Sequence, residues 1–236
     1  MKKTFYFLII FVLCFSACSP KPNITQNTPI PSQSVSTPNN TKETSVAISA
    51  IKAVLQNKKK FYCAVYKRNI YLKDFHSDDY LGLDDKGQYK YSNDYESDIN
   101  HVYSQFCILD MDSDGYPEIL LESKTTSDIL LFHYENGKVY GNLFPYRGME
   151  LIKKDASFIS SGGADDNVIG KIRFSKGKVL FNELCIIDGH NNIYRINGEN
   201  ASQEEVRKYA EKQFEKEDVK WHTYNNKNIE KYFVKK

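Results

Sequence analysis

Asp128–Phe144 reads DILLFHYENGKVYGNLF, two apolar and aromatic runs parted by Asn-Gly. Asn and Gly accept the positive φ angles that a two-residue hairpin turn demands, so the stretch is expected to fold back on itself as two antiparallel strands. The same grammar recurs on both sides. Upstream stand HVYSQFCIL and EILLESK; downstream, IGKIRFSKGKVLFNELCII carries a second turn at SKGK, and IYRING adds one more strand. Strands that follow one another through short turns form an antiparallel meander.

Helical patterns flank these strands. In SVAISAIKAVLQNKKKFY, apolar residues at 47, 48, 51, 54 and 55 fall on one helical face, and a basic last turn suits the negative end of the dipole. Near the other end, SQEEVRKYAEKQFEKED opens with Ser202 three residues before Glu205, a capping box, and sets Val206, Tyr209, Ala210 and Phe214 on one face. The expected fold class is therefore α+β: an antiparallel β-sheet meander with an N-terminal helix and C-terminal helices packed on it. Residues 45–236 are long enough for a single globular domain with a sizeable core.

The N-terminus has another character. MKKTFYFLIIFVLCFSAC offers two lysines, an apolar run from Phe5 to Phe15, and small residues before Cys18, so residues 1–17 read as a secretory signal. The run falls short of the roughly 20 residues of a spanning helix. F-S-A-C is similar to the bacterial lipobox, with Phe15 where leucine is usual, which implies diacylation of Cys18 and cleavage before it. Two acyl chains give stable anchoring, which places the mature chain on the extracellular face of the cell membrane. Residues 18–44, the lipidated Cys and a stretch with five of the seven prolines among Ser, Thr, Asn and Gln, read as a disordered tether.

Charge narrows the partners. The chain has 32 Lys+Arg against 30 Asp+Glu, and loss of Lys2 and Lys3 with the signal leaves 30 of each. An electroneutral mature chain gives no ground for nucleic-acid binding or for a polybasic membrane face. Once Cys14 is removed and Cys18 lipidated, Cys63, Cys107 and Cys185 remain in apolar surroundings, without zinc spacing, and read as buried free thiols.

One segment carries chemistry. In DMDSDGYPE, Asp110–Glu118, carboxylates stand at positions 1, 3, 5 and 9 with Gly115 at 6. A hard cation such as calcium takes six to eight oxygens at about 2.3–2.6 Å, and a curled loop with alternating aspartates turns them to a common point. The expected ligands are Asp110, Asp112, Asp114, the carbonyl of Tyr116 and Glu118, with calcium in a structural role. Magnesium prefers a smaller and more hydrated octahedral site. Leu121 stands where an EF-hand needs its bidentate glutamate, and strand-like sequence surrounds the loop. The motif instead resembles the calcium loops of integrin-type FG-GAP repeats. A plain Asp-rich hairpin turn is the competing reading.

LDMDSDGYPEILLE, GKVYGNLFPYRGMELIKKDASFISSGGADD and YRINGENASQEEVRKYAEKQFEKEDVKWHTYNNKNIEKYF together resemble a family of uncharacterised surface lipoproteins of Gram-positive bacteria. Its members typically carry D-x-D-G-D-G-x-P-E, from which Ser113 departs at a position offering no side-chain ligand. The resemblance runs from the first helix to the end. It implies a lipid anchor, a shared fold and Asp110, Asp112, Asp114 and Glu118 as ligands, and it transfers no activity.

Enzyme signatures fail in turn. SAIK, Ser49–Lys52, matches S-x-x-K, but neither S-D-N nor K-T-G follows; G-x-S-x-G and H-E-x-x-H are absent. His76, His101, His133, His190 and His222 are scattered, and SSGGADD, Ser160–Asp166, reads as a connecting loop. No catalytic residue is assigned. The expected function is a non-catalytic, calcium-stabilised domain that binds a cell-envelope or protein partner. The 17 tyrosines are compatible with such a face. The alternative is an envelope-directed hydrolase with a glycosidase-like carboxylate pair drawn from Asp165, Asp166 and Glu118. A protective or inhibitory lipoprotein would instead present a broad apolar patch.

Overall fold

The computed structural model describes residues 41–75, 80–83, 89–91, 103–124, 126–163 and 165–233, with side chains for all of these except 41, 42, 80–83 and 89–91. The signal, Cys18 and the tether as far as residue 40 lie outside the described residues, as do His76 and His101. Among the described residues no helix is long and apolar enough to cross a membrane.

Helix α1, Thr41–Leu55, begins four residues inside the stretch read as tether, with Glu43 in its first turn and Lys52 in its last, both matched to the dipole. Strands β1 (Phe61–Cys63) and β2 (Arg68–Ile70) follow, then a 3₁₀ turn at Leu72–Asp74 and the separate pair β3 (Tyr80–Leu83) and β4 (Tyr89–Tyr91). The expected meander comes next as β5 (Tyr103–Leu109), β6 (Glu118–Ser123), β7 (Ile129–Glu135) and β8 (Lys138–Phe144). β9 (Phe158–Ser161), β10 (Asp166–Ser175), β11 (Lys178–Asp188), β12 (Ile193–Ile196) and β13 (Glu199–Asn200) make a second run. Helix α2 (Gln203–Glu215), the short strand β14 (His222–Thr223) and helix α3 (Asn226–Tyr232) follow.

The fold is α+β and sheet-dominated. Its strands divide between a seven-stranded sheet, ordered β14-β5-β6-β7-β8-β1-β2, and a five-stranded sheet, ordered β13-β12-β11-β10-β9. All pairs are antiparallel except β1 with β8. A single meander does not form because the chain after Phe144 leaves its sheet through Pro145 and through Arg147, Leu151 and Ala156, which hold φ angles of 64°, 48° and 64° that no strand tolerates.

Turn chemistry sets the hairpins. Glu135 pairs with Lys138 around Asn136 (φ 50°) and Gly137 (φ 82°), and Ser175 pairs with Lys178 around Lys176 (φ 54°) and Gly177 (φ 73°). Both are two-residue loops with positive φ at each central position, the twist-matched kind. Lys176 accepts this strained angle because the Glu135 carboxylate receives its backbone N–H (2.8 Å) and that of Gly177. A Cβ on Gly177 would run into the Tyr140 ring, so the β10–β11 tip lies directly on the β7–β8 hairpin.

Apolar residues of β6 and β7 sort strictly by parity. Ile119, Leu121, Leu130 and Phe132 join Ile51, Val54 and Leu55 of α1 and Ile229 of α3 in one core. Leu120 and Leu131 enter another, with Met111, Ile152, Phe158 and Ile172. The large sheet is covered on both faces, which is why EILLES and ILLF show no polar alternation. On the second sheet, Val206, Tyr209 and Ala210 of α2 pack with Ile159, Ile169 and Cys185.

The capping box forms as expected: Ser202 accepts from the Glu205 amide, and Glu205 accepts from that of Ser202. Phe214 departs from expectation. It is 57% exposed, whereas Gln213 is buried and accepts a hydrogen bond from the Ser157 hydroxyl at 3.0 Å. The last turn of α2 thus presents an amide to a polar pocket and leaves the ring outside. Cys63, Cys107 and Cys185 are free and buried, and burial pushes their thiols up to about 11, 12 and 11.

Candidate metal centre

The loop is closed at its base by the β5–β6 pair Leu109 with Glu118. Gly115 holds φ 88° with nothing within 4 Å of a would-be Cβ, so conformation rather than space demands glycine there. Ser113 also holds a positive φ, 65°.

Backbone amides fix the carboxylates inside the loop. Asp110 Oδ2 accepts from the Gly115 amide at 3.0 Å, Asp112 Oδ1 from the Asp114 amide at 3.3 Å, and Glu118 Oε2 from the Met111 amide at 2.8 Å. These bonds spread the negative charge only partly, because each oxygen has capacity for more donors. Asp110 Oδ1 is sealed from solvent and has no hydrogen-bond partner among the described residues.

Asp110, Asp112 and Glu118 each bring a carboxylate oxygen into one group whose members all lie within 4.8 Å of one another. Two oxygens on a single calcium can stand no more than about 5 Å apart, twice the bond length, so the grouping is compatible with a shared metal ion. It does not by itself identify calcium. At an effective dielectric of about 20, two ionised carboxylates at such a separation repel by about 3 kcal/mol.

The electrostatic consequence is visible in the acids themselves. Glu118 is 2% exposed; burial, reinforced by Asp112, Asp114 and Asp110, pushes its carboxyl up to about 9 despite the Met111 amide. Burial also raises Asp112, and it raises Asp114 to about 6. A cation at the cluster would reverse the sign of the field that each group feels.

Of the expected ligands, Asp114 is not in the group. Its Oδ1 instead accepts from the Tyr116 amide at 2.7 Å. Two partners of the loop carried no local signal in the sequence. Asp112 Oδ2 accepts from the Phe174 amide of β10 at 3.2 Å, and the Tyr116 hydroxyl donates to Glu43 of α1 at 2.6 Å. Thr44 also donates to the Gly115 carbonyl, at 3.4 Å.

The groups considered for catalysis are engaged elsewhere. Ser49 donates back to the Ser45 carbonyl at 2.7 Å while Lys52 pairs with Glu230 at 2.5 Å, so S-x-x-K makes no Ser–Lys pair. Asp165 and Asp166 lie at the β9–β10 turn of the second sheet and are not members of the group around Glu118. Arg147 organises that turn by donating to Ser161 (2.5 Å) and to the Gly163 carbonyl (3.2 Å). His133 is stacked between Tyr140 and Phe174, with centroids at 5.0 and 4.1 Å, and His222 stacks on Tyr232 at 3.7 Å.

Comparison with protein-family models, with curated proteins and with solved structures finds no match to the chain.

Proposed function

We propose that this chain is a lipid-anchored surface protein whose domain is stabilised by one structural calcium ion and binds a ligand without catalysing a reaction. The observation that carries the metal reading is the buried Asp110 Oδ1, an acceptor with no donor among the described residues, set in a group with Asp112 and the buried Glu118. Such an oxygen costs free energy until a cation meets it. Asp110, Asp112 and Glu118 would hold the ion, with Asp114 and the Tyr116 carbonyl completing the shell directly or through water. Calcium suits this all-oxygen donor set.

Anchoring rests on the lipobox-like F-S-A-C and the proposed diacylation of Cys18, which would hold the domain at the extracellular face of the membrane. The resemblance to surface lipoproteins of Gram-positive bacteria supports the same location. There the partner would be cell-envelope material or another surface protein.

Thermal melts of the full-length protein in detergent test the metal. Millimolar calcium should raise the midpoint by roughly 5–10 °C over excess chelator if the site binds at about 10 μM, since a native-state ligand at 100 times its Kd adds about 2.7 kcal/mol. Superimposable curves would refute the calcium reading. Mass spectrometry of the mature N-terminus should find a diacylglyceryl group on Cys18, and an unmodified peptide that starts elsewhere would refute the anchor.

A further inference from the structure

β11 is longer than the strand beside it. β12 pairs only with Cys185–Asp188, so along Val179–Glu183 the side of β11 away from β10 meets no strand among the described residues. The Phe174 amide shows which peptide groups face that side. It donates to Asp112, away from β11, so the pair of Phe174 with Val179 is a non-hydrogen-bonded one. Pairs alternate along an antiparallel ladder, and those of Ile172 with Phe181 and Gly170 with Glu183 are therefore of the same kind. The N–H and C=O groups of Val179, Phe181 and Glu183 point outward, and among the described residues none of them has a hydrogen-bond partner. The edge closes at Leu184, whose carbonyl accepts from the Asn197 amide at 2.8 Å. Leu180 and Phe181 are 37% and 41% exposed along it.

Charge tells what kind of strand fits. The hairpin stretch KIRFSKGKVLFN, Lys171–Asn182, holds four cations and no acid in a chain with 32 Lys+Arg and 30 Asp+Glu. Lys171 is turned to Asp155, at 3.9 Å. The side chains of Arg173, Lys176 and Lys178 make no ion pair or hydrogen bond among the described residues. Arg173 is in register with Leu180, and Lys178 lies two residues along on the same face. Phe181 stands on the other face with Val179, its ring edge-on to Phe158 at 5.4 Å. A strand laid beside β11 would thus meet cations and Leu180 on one face and Val179 and Phe181 on the other. In such an addition main-chain bonds supply affinity, and alternate side chains supply the choice of partner.

We propose that the β11 edge receives an acidic, extended peptide segment of a protein partner as an antiparallel strand, with its acids beside Lys178 and Lys176 and its apolar residues beside Leu180 and Phe181. Complementary charge favours this occupant over a second copy of the chain. A twofold axis through Phe181 would pair the same edge with itself, bring a second set of the same cations, and set its only acid, Glu183, against Val179. The assignment names a partner class for the binding reading and rests on it, but it needs neither the calcium ion nor the lipid anchor.

Fluorescence anisotropy of a labelled peptide, TTVVTEE, titrated with the full-length protein in detergent tests this. Laid antiparallel with its third residue opposite Phe181, it sets its first glutamate opposite Lys178. It should bind at least about tenfold tighter than TTVVTKK, and Lys178→Glu should remove that preference. N-methylation of the third and fifth residues, whose amides face β11, should weaken binding at least about tenfold, whereas methylation of the second and fourth should change it little. Phe181→Pro deletes an outward amide and should do the same harm, more than Phe181→Ala, with the melting midpoint reporting that both variants fold. Deuterium exchange should slow at the amides of Val179, Phe181 and Glu183 when the peptide is bound. No binding at millimolar peptide, equal loss from the two methylation patterns, or indifference to Lys178→Glu would overturn the assignment. So would a dimer that protects the same amides without peptide, since a second copy would then hold the edge. The readings fail separately. A calcium-dependent melt and a diacylated Cys18 with no peptide bound refute the edge alone, whereas peptide binding beside melts that ignore calcium refutes the metal and leaves the edge.

Discussion

Asp112 Oδ2 accepts a hydrogen bond from the Phe174 amide at 3.2 Å, which fastens the β5–β6 loop of one sheet to β10 of the other. A cation on Asp112 would act on this junction as well as on its own loop, because it fixes the carboxylate that Phe174 reaches. The amide of Phe174 should therefore exchange with deuterium more slowly in calcium than in chelator. Asp112→Ala should abolish the difference and cost about 1–3 kcal/mol, the usual loss for a hydrogen bond to a charged group. Equal protection in the two conditions would show that the loop and the hairpin are uncoupled.

Glu118 makes metal-free stability depend on pH in an unusual direction. Its folded carboxyl titrates near 9 and its unfolded one near 4.5, so between these values the folded chain holds a proton that the unfolded chain has lost. Stability must then fall as pH rises through that window, by an amount on the order of a few kcal/mol. Denaturant titrations in chelator should show the decline, and Glu118→Gln should flatten it. Calcium must displace the proton, so its affinity should rise with pH, with proton release seen by calorimetry in buffers of different ionisation enthalpy.

His133 acts with the opposite sign. It is 1% exposed, its Nε2 has no partner among the described residues, and burial lowers its pKa from 6.5 to about 4. As pH falls through that interval the unfolded chain takes up a proton that the folded one refuses, which removes up to about 3 kcal/mol of stability. His133→Phe keeps an aromatic ring between Tyr140 and Phe174 and removes the titration. Its unfolding free energy should fall less than that of the parent between pH 6.5 and 4; parallel profiles would contradict the assignment.

Lys153 serves as an internal cap. Its ammonium, 3% exposed, donates to the carbonyls of Phe214 (3.2 Å) and Lys216 (3.1 Å) at the end of α2 and to Asp218 at 2.6 Å. Lys153→Met should cost about 2–4 kcal/mol by leaving helix-end carbonyls without a donor, and should speed amide exchange in the last turn of α2. A loss below 0.5 kcal/mol would mean that water replaces the ammonium freely.

What the sequence made legible was local. The β7–β8 and β10–β11 hairpins follow from Asn136-Gly137 and Lys176-Gly177, and the start of α2 from Ser202 and Glu205, because each signal and its effect lie within four residues. The grouping of Asp110, Asp112 and Glu118 was legible because all three stand in one loop of nine residues. Spacing alone also placed Asp114 among the ligands, but its carboxylate meets the Tyr116 amide first. Glu43 and Phe174 reach the loop from 73 and 62 residues away, and no periodicity reports such approaches. β1, β2 and β14 have three, three and two residues, too short for alternation to register. Phe214 shows the limit of a helical wheel: whether a residue beside the apolar stripe turns inward depends on the partner, here the Ser157 hydroxyl that draws in Gln213.

The two ends of the domain finish the same sheet. β1 and β2 complete one edge, and β14, which arrives last, covers the other at Gln105 and Phe106. Lys52 closes on Glu230 and Tyr224 on the Leu55 carbonyl, partners 178 and 169 residues apart. Closing such distant contacts late makes for slow folding. A chain emerging from a ribosome or a translocon would keep β5 as a bare edge until His222 and Thr223 were free, and any truncation before His222 would leave that edge as a template for pairing with another molecule.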